Sequence, residues 1–311
     1  MELPKTLVEL AYAIRATVRP HIGLQTSRLV KGKSVSGDEA FEIDKIAEQA
    51  IDDFIRKHEL QVAYYSEDRG LVKFGKPEYV LIIDPIDGTR PAMAGFESCV
   101  VSIALAPCSE DIRLSDVVFG CILEIKNDRL FTASRKGFAS IREGERELPV
   151  TLSANEELDK MAWTFELAGR PIELVTDVLS PLIDKSSLRG GVFVFSSTAY
   201  SLTRLLTGQL SAVVDVGNRI FRDFPETRNR FIQAGMGTVM GLFPYDIAAA
   251  VLIAETAGCT VTDAYGNKLD DTLLLNASES NIRSCIATSN PRLHELILST
   301  IESRMEELSI A

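Results

Sequence analysis

The chain has 311 residues, 46% apolar and 25% charged, enough to build one large soluble domain or two fused layers around a sizeable core. A net charge of -11 excludes a nucleic-acid partner unless basic residues cluster locally, and five cysteines with no C-x-x-C pair argue against a zinc ribbon or a disulfide framework. The opening MELPKTLVELAYAIRATV lacks the basic start and apolar core of a signal peptide, and no apolar run reaches membrane-spanning length, so a cytoplasmic protein without a membrane partner is expected. Leu7, Leu10, Ala11, Ile14 and Val18 recur at helical spacing and predict a first helix. The polar KGKSVSGDEAF reads as a mobile loop, and Ile43, Ile46, Ala47, Ala50, Ile51, Phe54 and Ile55 mark a second helix. QVAYYSEDRG begins as a short strand and ends in an acidic turn; EYVLIID, CVVSIALA and VVFGCILEI are buried strands, and the glycine-punctuated alternation after Asp128 predicts hairpins. Hairpin texture stops near residue 150, which sets an expected boundary between an N-terminal α+β subdomain, 1–149, and a C-terminal α/β subdomain, 150–311. The second half predicts a helix over Pro171–Leu182, a strand in GVFVFSS, a helix over Ala199–Leu206 and a strand in LSAVVDVG. Then come an apolar helix in DIAAAVLIAETAG closed by Gly258, strands in CTVTDAYG and SCIATS, and a last helix opened by Pro291. Strands with intervening helices on both sides of the boundary predict a layered α/β sandwich.

The chemistry concentrates in VLIIDPIDGTRPAMAG, residues 80–95. Taken alone, DPIDG is a turn signal, because proline fixes φ, aspartate bonds its own backbone and glycine permits positive φ. Asp84, however, ends a strand that reads as buried, where a lone carboxylate is costly unless a cation accompanies it. Pro85 is expected to stop the strand, letting Asp84 and Asp87 turn to one point with the Ile86 carbonyl between them. Three hard oxygens suit Mg2+ better than zinc. The backbone N–H groups of Gly88 and Thr89, opening a helix, would face an anion. Two further acids fit the same point: Glu67 at the end of YYSE, and Asp246 ahead of a long apolar run, where a plain N-cap role explains it equally well.

DPIDGT, with Glu67 upstream and YDIAAA…ETAGCTVTDAYG downstream, resembles the inositol monophosphatase family, which groups with fructose-1,6-bisphosphatases among lithium-sensitive phosphatases. The resemblance covers nearly the whole chain and implies a layered α-β-α-β-α sandwich. It implies two or three Mg2+ ions per site, held by Glu67, Asp84, the Ile86 carbonyl, Asp87 and Asp246. It makes Glu67, Thr89 and Asp44 catalytic, with Thr89 orienting the attacking water and Asp44 supporting it. Lys33 and Asp38 match the family's mobile loop. Asp87, Gly88, Thr89, Arg90, Ser196, Ser197, Thr198 and Asp215 fall on substrate-contacting positions, Asp215 where an acid reads a sugar or inositol hydroxyl. The reaction implied is Mg2+-dependent hydrolysis of a small sugar or inositol monophosphate, with fructose 1,6-bisphosphate a further candidate substrate, by a homodimer.

The sequence departs from the family pattern in places. Arg90 stands where inositol enzymes usually carry threonine; it resembles histidinol-phosphate phosphatases, and it equally reads as a surface salt-bridge partner. Tyr245 replaces a tryptophan, and Ala250 a common glycine. Between Asp215 and Asp246 the chain is longer than its family, with Arg219, Arg222, Arg228 and Arg230 among aromatics. That segment reads as a lid, a subunit contact or a phosphate-reading arm, against a solvated excursion balanced by Asp223 and Glu226. A histidinol-phosphate or nucleotide 3′-phosphate phosphatase stays open on this basis, as does a catalytically silent relative, although every expected ligand is retained.

Overall fold

A computed structural model describes residues 3–35 and 37–310. Helix α1 (Leu3–Val18) buries the stripe its spacing predicts. The stretch expected as a mobile loop is instead a hairpin, in which β1 (Val30–Lys33) pairs antiparallel with β2 (Glu39–Phe41). Its turn closes through Ser34 N–H on the Asp38 carbonyl and through Gly37 at φ 95°; Ser36 lies outside the described residues. Helix α2 (Glu42–Lys57) follows directly.

The first large sheet is built from β3 (Ala63–Ser66), β4 (Gly70–Lys73) and β5 (Tyr79–Asp87), and, after the short α3 (Thr89–Ala94), from β6 (Val100–Pro107) and β7 (Phe119–Glu124). β8 (Arg129–Ser134), β9 (Ser140–Glu143) and β10 (Arg146–Leu148) complete it as the expected hairpins, in the order β10-β9-β8-β7-β6-β5-β3-β4. Its pairings are antiparallel except β3 with β5. The run in β5 is continuously apolar because both faces are covered: Leu81 and Ile83 join the core with α1 and α2, while Val80 and Ile82 join the opposite core.

The second sheet holds β11 (Ala162–Phe165), β12 (Gly191–Phe193), β13 (Ala212–Asp215), β14 (Thr260–Thr262) and β15 (Cys285–Thr288), ordered β12-β11-β13-β15-β14. β11 was not anticipated, and the strand expected in GVFVFSS shrinks to three residues at the sheet edge. Helices α4 (Ile172–Ser186) and α9 (Pro291–Ile310) pack together and touch this sheet. Helices α5 (Thr198–Leu206) and α8 (Pro244–Thr256) lie against the first sheet and reach β13 and β14 of the second. The order is therefore α1/α2, large sheet, α5/α8, small sheet, α4/α9. Sandwiched between sheets, α8 is apolar all round, which is why its sequence lacks an amphipathic stripe.

The long segment after Asp215 folds into α6 (Gly217–Asp223) and α7 (Arg228–Ala234). Its arginines are paired: Arg219 is buried between Asp223, Glu302 and the Tyr265 ring, Arg228 meets Glu279, and Arg230 meets Glu173. Arg222 donates to the Ser280 carbonyl. A phosphate-reading arm made of these arginines is therefore set aside. All five cysteines are free thiols. Among the described residues no helix is long and apolar enough to cross a membrane.

Candidate active site

Topology brings the acids together. Because β3 and β5 run parallel, Ser66 beside Ile83, their carboxyl ends share one sheet edge, and Glu67 follows β3 beside the end of β5. Pro85 does not stop β5. The strand bulges and resumes, with Asp84 opposite Ser102 and Asp87 opposite Val100, so two residues, Pro85 and Ile86, face only Val101. Three residues apart on a regular strand, the two aspartates would point to opposite faces; the one-residue bulge returns Asp87 to the face of Asp84. That face is covered by α5 and α8. Asp246 is the third residue of α8 rather than its N-cap, and it reaches back to accept the Phe243 N–H at 2.6 Å. Asp44 repeats the device on α2, where its Oδ2 accepts the Phe41 N–H at 2.8 Å.

Three of the four acids have their own anchors. Asp84 Oδ1 accepts the Ile86 N–H at 3.0 Å. Asp87 Oδ2 accepts the Ser197 hydroxyl at 2.8 Å and the Ala199 N–H, so the start of α5 is spent on Asp87. The second oxygen of Asp84 and Asp246, and both oxygens of Glu67, have no protein donor among the described residues. All four acids line one cavity of about 420 Å3. Burial and the charge of neighbouring acids hold Glu67, Asp84 and Asp246 well above the usual carboxylate range. Asp87 is pushed by burial only to about 6, because hydrogen bonds from Ser197 and the α5 N–H groups favour its ionised form.

Carboxyl groups that resist ionising in one place call for a cation. Among the described residues no three of them close into a finished coordination group. The donor set is hard oxygen, with donor-free carboxylate oxygens facing one cavity, which fits a divalent cation of the magnesium or calcium kind rather than zinc.

Beside the acids, Gly88 sits at φ 92°, and a Cβ there would fall 2.4 Å from the Ser98 carbonyl oxygen, so only glycine fits. The Thr89 hydroxyl lies 3.2 Å from Asp44 Oδ1 and 3.1 Å from the Ile86 carbonyl. Burial raises Asp44 to about 7. Lys33, Asp38 and Arg90 line the same cavity, and Arg90 also binds Asp38 at 3.0 Å. Ser196, Ser197 and Thr198 also line the cavity. Ser197 is committed to Asp87, and Ser196 holds φ 54°, an unusual backbone for a serine.

Asp215 does not stand on the cavity wall. It is buried, ion-paired with Arg170 and capped by the Gly217 N–H at 2.7 Å. Arg170, together with Glu166, lines the cavity in its place, and neither was legible in the sequence. Glu166 Oε1 is buried without a hydrogen-bond partner, and burial raises its carboxyl to about 7. The only trace in the sequence was two charges, Glu166 and Arg170, at the ends of an otherwise uncharged loop.

The comparisons with known proteins agree with this geometry. The family model described as the inositol monophosphatase family matches residues 2–306. The chain belongs to that family. It is a family of phosphoric monoester hydrolases, and the chain is 27% identical over 293 residues to a fructose-1,6-bisphosphatase/inositol-1-monophosphatase of Thermococcus kodakarensis, covering 94% of each. It is also 26% identical over 317 residues to a bifunctional NADP phosphatase/NAD kinase of Methanococcus maripaludis, where 98% of this chain spans 50% of that protein. A solved structure described as an inositol monophosphatase–fructose 1,6-bisphosphatase superposes with a TM-score of 0.73 at 20% identity, over 96% of this chain and 100% of the other, which establishes the inositol monophosphatase fold.

Proposed function

We propose that this chain is a Mg2+-dependent phosphomonoesterase acting on a small sugar or inositol phosphate, with fructose 1,6-bisphosphate among its candidate substrates. The observation that carries the reading is the set of four acids, three of them separately anchored, lining one cavity beside Gly88 and Thr89. Glu67, Asp84, the Ile86 carbonyl, Asp87 and Asp246 would hold the cations. A divalent cation bound there acidifies water and offsets charge on the phosphate. The protein's own groups do the rest. The Gly88 and Thr89 backbone, with no side chain at Gly88 in the way, holds the phosphate for in-line attack. The Thr89 hydroxyl accepts a hydrogen bond from the attacking water and hands its own proton towards Asp44, whose pKa of about 7 suits that exchange near neutral pH. Arg170 and Glu166 border the space left for the alcohol. A homodimer, which the family resemblance implies, is readable from sedimentation of the full chain.

Asp84→Asn and Asp246→Asn should each lower phosphate release by at least about 10²-fold, with the far-UV circular dichroism spectrum retained. Phosphate release should also stop in a chelator and return with Mg2+. Near-normal turnover by either variant would remove the metal assignment.

A further inference from the structure

Among the described residues, two of the three non-glycine residues with positive φ, Ser196 and Met236, line the same cavity. Met236 has φ 54° and is 71% exposed, at the tip of the turn that follows α7. The turn is fixed on every side. Gly235 has no room for a Cβ, which would fall 2.1 Å from the Thr238 carbonyl oxygen. The Gly237 N–H bonds the Ile232 carbonyl at 2.8 Å. Met240 packs so closely on Gly169 that a Cβ there would come within 2.5 Å of it, and Leu242 bridges to Arg283. From this fixed turn the Met236 side chain projects, 71% exposed. With glycines on both sides, a glycine at position 236 would be the unstrained choice, yet a long thioether stands there, against the trend of apolar burial. Strain and exposure held together by a rigid surround are signs of a contact made with something outside the chain.

We propose that Met236 is a specificity-determining contact for the leaving alcohol, selecting phosphomonoesters whose alcohol presents a flat apolar face. This rests on the phosphomonoesterase reading of the cavity. The rest of the lining offers carboxylates, basic side chains, N–H groups and the Thr89 hydroxyl, which read phosphate, cation or other charge. The inserted segment and the loop after β11 supply Met236, Met240 and Leu167 as apolar contacts, beside the charged Glu166 and Arg170 of that same loop. A polarisable, unbranched thioether adapts to an aromatic ring that a polyol cannot imitate.

The test uses the full chain with Mg2+ and two esters, phenyl phosphate and glycerol 2-phosphate. In Met236→Gly the ratio of kcat/KM for phenyl phosphate to that for glycerol 2-phosphate should fall about 3- to 10-fold, carried by KM. Met236→Leu should restore most of the ratio, and the Tm of Met236→Gly should match or exceed that of the parent because the strained φ is relieved. In parallel, the Met236 13C-methyl resonance, assigned by its absence from Met236→Gly, should shift with phenylphosphonate and hold still with methylphosphonate. An unchanged ratio, or a methyl that ignores phenylphosphonate, overturns the proposal. If the parent releases no phosphate from either ester, the phosphomonoesterase reading is what falls, and the methyl shift alone then decides Met236: present, it sustains an apolar contact; absent, it ends the proposal.

Discussion

At the level of single residues, Gly88 is where geometry leaves least choice. Its φ of 92° lies in the left-handed region, and any Cβ would meet the Ser98 carbonyl oxygen at 2.4 Å and the Ser197 Cβ at 3.0 Å. Both neighbours are held, Ser98 by its hydrogen bond to the Phe195 carbonyl and Ser197 by Asp87. Relief would therefore have to come from displacing the loop at Ser98, or the start of α5 with the donors that lower the pKa of Asp87. Backbone strain and overpacking together predict that Gly88→Ala costs about 2–4 kcal/mol of stability, read as a lower urea midpoint with an unchanged slope. A loss under about 0.5 kcal/mol would mean that the loop at Ser98 or α5 can yield, and that Gly88 is not fixed by the space around it. Asp44 and Asp246 share a second residue-scale device. Each sits third in its helix and takes the backbone N–H of the residue before the helix, so one oxygen is pinned and the other points to the site.

Among the elements, much was readable in advance and the exceptions have physical causes. Helices α1 and α2 followed from their stripes, and β5 to β7 from runs too apolar for one covered face. The bulge in β5 was hidden because proline is ordinarily a strand terminator, yet here the missing N–H falls within the unpaired part of the ladder. The β1–β2 hairpin was hidden by its composition: β1 is exposed along its length, so it shows no alternation. Asp84 and Asp87 stood out by their spacing, whereas the wider proposed ligand set came from the family resemblance; Asp215 turns away from the cavity because it pairs with Arg170, 45 residues away in sequence. The hairpin also carries the element-scale prediction. Arg90 links α3 to Asp38 at the hairpin turn, with its side chain 52% exposed, a pair worth little in stability. Arg90→Ala should leave Tm within about 1–2 °C and raise KM about 2- to 5-fold by loosening Lys33 and Asp38 over the cavity. An unchanged KM for every substrate would leave Arg90 a surface residue.

For the molecule as a whole, the buried acids set how stability responds to pH and cation. In the unfolded chain their carboxyls titrate near 4, whereas in the fold burial holds Glu67, Asp84 and Asp246 well above that range and Asp44 at about 7. Between those values the folded state keeps protons that the unfolded chain has released, so stability falls as pH rises through the window. His294 acts in the opposite sense: burial lowers it to about 4, so its contribution is complete above about 6.5 and is lost only as pH falls below that. From pH 6.5 to 8.5 the acids therefore govern the slope. In a chelator, Tm should drop by several degrees across that interval. Mg2+ should cancel the drop, because a cation that binds only the folded, ionised site stabilises it by mass action, and the gain should be larger at pH 8.5 than at pH 6.5. Asp84→Asn removes one of the repelling charges together with a proposed ligand. Its Tm in chelator should lie above that of the parent at pH 8.5 and respond weakly to Mg2+. Thermal scans on both proteins at the two pH values decide the matter: a flat parent Tm in chelator, or a Mg2+ gain independent of pH, would show that the four acids do not share the charge burden that their burial implies.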